Sequence, residues 1–307
     1  MHTDRTSIGK DDEVILLPVK YPQTSEQLLS VALSVRNIKL NRGLIALNVV
    51  YDDKQRISNQ DKGKQLLEHL QKLSGASDVL LQTQVRISTN IANGIKHAFK
   101  EFNASEIIMG MPSKTDISNK FWGEFANSLT NGLPRQIMFS TITQPLNTMR
   151  KIHVAVPSRA EFEPGFLRWT ERLARLSKNS DCKIHLHARH TTLQLIRQYI
   201  TNNHQIRAEY SQMEHWNELP NLLTTINTDH LLIIIAARKG TISYKTAMEK
   251  LPNEIKRFYQ GSNLMIVYPD QNAQDDNEMT FADPQQHAGT SAYTAISDWI
   301  AKQKRKL

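Results

Sequence analysis

Short apolar runs alternate with amphipathic stretches along this chain, and the whole alternation occurs twice. The first run, 14–20 (VILLPVK), has strand length and is followed by a helical pattern from Ser25 to about Arg36 with Leu28, Leu29, Ala32 and Leu33 on one face. The turn Asn41-Arg42-Gly43 leads to a second strand, 44–51 (LIALNVVY). Leu66, Leu67, Leu70 and Leu73 mark the next helix, 79–87 a third strand, and Ile91, Ile95, Ala98 and Phe102 a third helix. An apolar run at 107–111, a helical pattern at 121–129 and a strand at 137–139 complete the unit, which ends near Gln144.

After Pro145 the order begins again. Strands are expected at 151–156 (KIHVAV), 183–188, 206–213, 230–237 (HLLIIIAA) and 264–268 (LMIVY). Helices are expected at 164–176, 193–200, 218–226 and 246–259, with Pro252 restarting the last. Strands alternating with helices predict parallel sheets covered on both faces. The repeat length of about 130 residues is that of a domain, not of a solenoid. The expectation is two tandem α/β units, 12–145 and 149–270, each a five-stranded parallel sheet, and a polar tail, 271–307, with one short amphipathic stretch around Ile296 and Ile300.

Composition narrows the class. With 39% hydrophobic and 22% charged residues the chain reads as a soluble globular protein, and no apolar run reaches the roughly 20 residues that cross a bilayer. The net charge of +8 comes from scattered Lys and Arg, without a zinc-finger, helix-turn-helix or aromatic-basic RNA pattern, so nucleic acid is not the expected partner. The single cysteine, Cys182, excludes an internal disulfide, suits a reducing compartment and reads as a buried structural thiol.

The stretch 106–140 carries the candidate chemistry. Strand, glycine loop, helix and strand place backbone N–H groups and a helix N-terminus where an anion binds. Gly110, two residues, Ser113, nine residues, then Gly123 and Glu124 resemble the ATP-binding segment of the universal stress protein family, which carries Gly, two residues, Gly, nine residues, Gly and a hydroxyl residue. The resemblance covers both repeats. It implies strand order 3-2-1-4-5 in each sheet, a nucleotide between strands one and four, and fifth strands that pair between repeats as a pseudo-dimer or between subunits as a homodimer.

The departures fall on the gripping positions. Ser113 replaces the middle glycine and Glu124 the hydroxyl. Where the resemblance implies an adenine-binding Asp, the two repeats have Lys20 and Pro157. The loop after the fourth strand of the second repeat, Ala237 to Gly240, lacks the final Gly-hydroxyl pair altogether. A lost hydroxyl donor costs about 1 kcal/mol. A carboxylate about 4 Å from a phosphate charge adds repulsion of roughly 4 kcal/mol at an effective dielectric near 20. Together these remove most of the roughly 8 kcal/mol of a micromolar affinity. The expectation is weak or absent ATP binding and no resident cofactor, with an anion or another nucleotide at Gly110, Ser113, Gly123, Glu124 and Lys20 as the alternative. Pairing of Lys20 or Lys114 with Glu124 would offset part of the repulsion.

His185, His187 and His190 end a strand, and His153 lies on its expected neighbour. Two of these imidazoles can converge on one sheet face. No carboxylate follows at ligand spacing, so solvent-facing histidines are expected in preference to a metal site. Trp122, Trp169 and Trp216 read as core or interface. No P-loop, nucleophile elbow or zinc-protease motif is present.

The resemblance implies a non-catalytic regulatory or sensory module. It is expected in the cytoplasm, either free-standing or at the inner face of the membrane as part of, or partner to, a cation/proton (Na+/H+) antiporter. The competing classes are an ATP-binding stress protein and a nucleotide-using enzyme of the same fold, and the latter needs an intact phosphate loop and acidic metal ligands that are not visible.

Overall fold

The structure is a computed structural model that describes residues 13–40, 43–112 and 120–272, with the side chains of 120–122 left undescribed. The strands of the first half are β1 (Ile15–Pro18), β2 (Leu44–Tyr51), β3 (Leu81–Ser88), β4 (Glu106–Gly110) and β5 (Gln136–Thr141). Its helices are α1 (Pro22–Val35), α2 (Arg56–Gly75), α3 (Ile91–Glu101) and α4 (Asn127–Gly132). The second half supplies β6 (Lys151–Ala155), β7 (Lys183–Ala188), β8 (Ala208–Gln212), β9 (His230–Ile235) and β10 (Asn263–Tyr268). Between them run α5 (Phe166–Asn179), α6 (His190–Asn203), α7 (Leu219–Thr224) and α8 (Leu251–Phe258).

Strand order within each half is the expected 3-2-1-4-5, and all pairs inside a half are parallel. The expectation of two separate sheets is corrected. β5 and β10 pair antiparallel, from Leu264 with Thr141 to Tyr268 with Ile137, and join the halves into one ten-stranded sheet. The reason is the edge. β5 and β10 are buried apolar strands on which an open row of N–H and C=O groups would be costly, and each covers the other. Neither keeps a free edge for a second copy of the chain.

Two apolar layers sandwich the sheet. One is built by α1, α2, α5 and α6 with Trp169 at its centre, and the other by α3, α4, α7 and α8 with Phe99 and Trp216. Cys182 is buried, and burial raises its thiol to about 11, as a structural role requires. The segment 120–126 is π-helical and only 127–132 is α-helical, so the four-residue spacing of Phe121, Phe125 and Leu129 does not run as one α-helix. Pro252 sits in the first turn of α8 after a 3-10 turn at Thr246–Lys250, as its missing N–H favours. The stretch around Ile296 and Ile300 lies outside the described residues.

The halves are also joined by buried ions. Arg172 of α5 reaches Glu106 of β4 at 2.7 Å and Glu13 at 2.8 Å. Gln136 donates to the other Glu106 oxygen at 2.8 Å, and Arg175 also holds Glu13. A second cluster sets Asp270 between Arg135 and Arg168, at 3.3 and 3.4 Å.

Candidate functional site

In a parallel sheet of this order the ligand crevice lies beyond the carboxyl ends of the strands, where the order reverses. The first half reverses between β1 and β4, the second between β6 and β9.

The first crevice keeps its backbone. Gly110 ends β4, the Met111 N–H donates to the Ser140 carbonyl at 3.0 Å, and the Thr141 hydroxyl donates to the Met111 carbonyl at 2.6 Å. These bonds fix where the loop leaves the sheet. At the end of β1 the buried Asn48 amide donates to the Val19 carbonyl at 2.9 Å. Lys20 follows, exposed, with its ammonium 5.1 Å from the centre of the Tyr21 ring rather than on Glu124. Gly123 and Glu124 stand exposed on the π-helical turn. A Cβ built on Gly123 meets nothing within 4 Å, so packing does not require glycine there. Ser113 and Lys114 lie outside the described residues, as does the Trp122 side chain.

Beside the second crevice, charged side chains turn inward. Arg238, just past β9, is 3% exposed and donates to four carbonyls: Thr130 at 3.0 Å, Leu133 at 3.2 Å, Arg135 at 2.6 Å and Pro269. Two of these belong to the end of α4 and the residue that caps it, where carbonyls lack helical partners. Burial lowers the guanidinium to about 10, with Asp270, Tyr268 and Glu163 opposing, so it stays charged at neutral pH. On the other side of the crevice, the buried Glu163 carboxylate accepts from the Ser243 N–H at 2.9 Å and hydroxyl at 2.6 Å. The Thr192 hydroxyl donates to Glu161 at 2.7 Å. A Cβ on Gly165 would stand 2.4 Å from the Asp270 nitrogen, which shows how tightly the loop after β6 closes on the end of β10. Arg238 and Glu163, in the loops at this end of the sheet, thus spend their hydrogen bonds inside the protein.

The histidines are placed otherwise than expected. His153 of β6 and His187 of β7 are buried, 6% and 8% exposed, and are not solvent-facing. His153 Nδ1 is 3.1 Å from His187 Nε2, and His153 Nε2 is 3.2 Å from Nδ1 of His230, the first residue of β9. Burial first, then the neighbouring imidazoles, lowers His153 to about 3; burial and His185 lower His187 to about 4. All four rings are neutral at pH 7 on these shifts, since His185 and His230 are lowered too. His190 does not join them; it opens α6 and contacts Gln194 and Gln212 at the surface. His230 escaped sequence reasoning because it sits 77 residues from His153. The signal for it was the strand order implied by the family resemblance, which makes β6 and β9 neighbours.

No family model matches the chain, and no curated protein sequence matches it. Solved structures do. A universal stress protein from Archaeoglobus fulgidus DSM 4304 superposes with a TM-score of 0.54 at 15% identity, over 86% of this chain and 98% of that one. A functionally unknown protein from Pseudomonas aeruginosa PAO1 gives 0.51 at 12%, over 84% and 93%. The cytoplasmic domain of a prokaryotic cation chloride cotransporter gives 0.56 at 8%, over 88% and 98%. At these identities the likeness is one of fold, and the fold is the one seen in these proteins, a universal stress protein among them.

Proposed function

We propose that this chain is a non-catalytic regulatory or sensory module that works without bound ATP and acts on a membrane cation transporter of the Na+/H+ antiporter class. The observation that carries the reading is that the charged side chains in the loops at the second crevice are satisfied within the protein. Arg238 and Glu163 spend their charge on partners inside the protein, so a triphosphate there would have to displace buried, satisfied ion contacts. The first crevice offers Lys20 where an adenine amino group needs an acceptor, and Lys has none. A transporter as partner is supported by the fold shared with a cotransporter's cytoplasmic domain. Among the described residues no helix is long and apolar enough to cross a membrane.

Titration calorimetry with magnesium-ATP is the test. The expected result is no heat of binding at micromolar concentrations and no phosphate release on incubation. A micromolar dissociation constant abolished by Gly123→Val would establish the alternative, an ATP-binding stress protein that uses the first crevice. That alternative draws support from the exposed, unobstructed Gly123 turn. Turnover lost on changing Glu124 would instead make the protein an enzyme.

A further inference from the structure

One face of the sheet differs between the halves in a way the fold does not require. Under α3 the first half places Leu16, Ile45 and Leu47, all part of the apolar core. The second half has His153 paired with His185 as Leu16 is paired with Ile45, and His187 two residues further along β7. The helix over this face shrinks from the eleven residues of α3 to the six of α7. Three imidazoles in place of three aliphatic side chains forfeit apolar burial and bring polar atoms that need partners.

We propose that His153, His185 and His187 form a binding site for a divalent transition-metal ion of the zinc class. Their donor nitrogens lie within 4.8 Å of one another. The separation of His153 Nδ1 and His187 Nε2, 3.1 Å, is close to the about 3.3 Å between two nitrogens bound tetrahedrally to one ion at about 2.0–2.1 Å. The far side of two rings is already held as metal-binding imidazoles are held. His185 Nε2 contacts the Ser211 hydroxyl at 2.8 Å, and His153 Nε2 contacts His230 Nδ1 at 3.2 Å. His153 therefore keeps Nδ1 for the cluster. His185 Nδ1 is buried and has no hydrogen-bond partner, with the Glu209 carboxylate 3.5 Å away. Adjacent strands fix all three positions, so little ordering remains to be done on binding. Three imidazoles without thiolates suit zinc, copper or nickel, not calcium or magnesium, which take oxygen donors.

The fourth position opens toward the cluster's less buried rim, where the His185 and His230 side chains are 17% and 15% exposed. The Glu209 carboxylate is there, 3.5 Å from His185 Nδ1. Lys151, 2.8 Å from Glu209, and Lys183 hold it and oppose an incoming cation; the carboxylate offsets part of that repulsion.

The probe is zinc alone, added to the full chain after chelation. Calorimetry is expected to give one zinc per chain with micromolar or tighter affinity. Cobalt(II) in its place is expected to give the intense visible absorption of a four-coordinate, nitrogen-rich centre, a readout that needs no variant. Ser211→Ala removes only an orienting contact and is expected to weaken binding by about 10–100-fold. His185→Gln is expected to weaken it further, and His190→Ala to leave it unchanged. Absence of the cobalt absorption, a stoichiometry other than one, or binding that follows His190 rather than His185 would overturn the proposal. ATP does not enter these measurements, so they stand or fall apart from the regulatory reading.

Discussion

Arg238 shows how one side chain can tie the two halves together. It stands in the loop where the fold would offer backbone N–H groups to a phosphate, and instead turns inward to four carbonyls, three of them from the first half. Arg238→Ala would take that donor from the Thr130, Leu133 and Arg135 carbonyls and leave Asp270 with one cation fewer. The expected loss is on the order of 3–5 kcal/mol in urea unfolding, as for other broken buried ionic contacts. Glu106 makes a separate, pH-dependent prediction. Burial alone would raise its carboxyl, but Arg172, with Arg168 and Gln136, more than offsets this and holds it below its ordinary value of 4.5. Below that pH the unfolded chain takes up a proton that the folded chain refuses, so stability is full above about pH 4.5 and falls as pH drops toward the folded value. Glu106→Gln keeps the shape and removes the proton site. Its unfolding free energy should fall less steeply in that window, by up to about 1.4 kcal/mol per pH unit. Identical slopes for variant and wild type would show that the fold does not hold the Glu106 carboxyl below its ordinary value.

At the scale of elements, two glycines that look alike in sequence do different things. Gly165 precedes α5 and faces the Asp270 backbone, where an added methyl would stand 2.4–2.6 Å from its nitrogen and oxygen. Gly165→Ala should therefore cost about 1–3 kcal/mol, since neither backbone can yield cheaply. Gly123 faces open space, and Gly123→Ala should be neutral or stabilising by up to about 1 kcal/mol. Thermal melts of the two variants decide it. The same contrast explains what could be read from the residues. Period and turn signals gave the order of every described strand and helix, because amphipathic faces are local properties. The strand order 3-2-1-4-5 was legible only through the spacing of Gly110 and Gly123. The β5–β10 pairing came from the same resemblance, which implies that fifth strands pair between repeats. Two features stayed hidden because each is made by residues far apart in the chain: the inward-turned contacts of Arg238 and Glu163, and the meeting of His230 with His153. The π turn was hidden for a different reason, since a single inserted residue leaves the apolar spacing nearly unchanged.

Across the whole molecule, the two halves are duplicated in sequence order yet interlocked in space. The seam at β5 and β10 supplies backbone partners, α1 and α5 pack across it, and Arg172 neutralises two carboxylates, Glu13 and Glu106, that belong to the other half. A chain cut after residue 145 would keep every element of the first half. It would also uncover the apolar edge of β5, with Ile137, Met138 and Phe139, and leave Glu106 buried without its guanidinium. An open edge strand of that composition pairs with another chain, and a buried carboxylate without a cation protonates or unfolds its surroundings. The fragment 1–145 should thus be dimeric or aggregated in light scattering at neutral pH, with β5 taking a second copy in place of β10. The intact chain should unfold in urea as one transition, because the ion network lets neither half open while the other stays closed. A fragment that is monomeric, folded and as resistant to urea as the full chain would mean that the seam is a contact between two independent domains. The long separation between Arg172 and its partners in the sequence would then carry no stability.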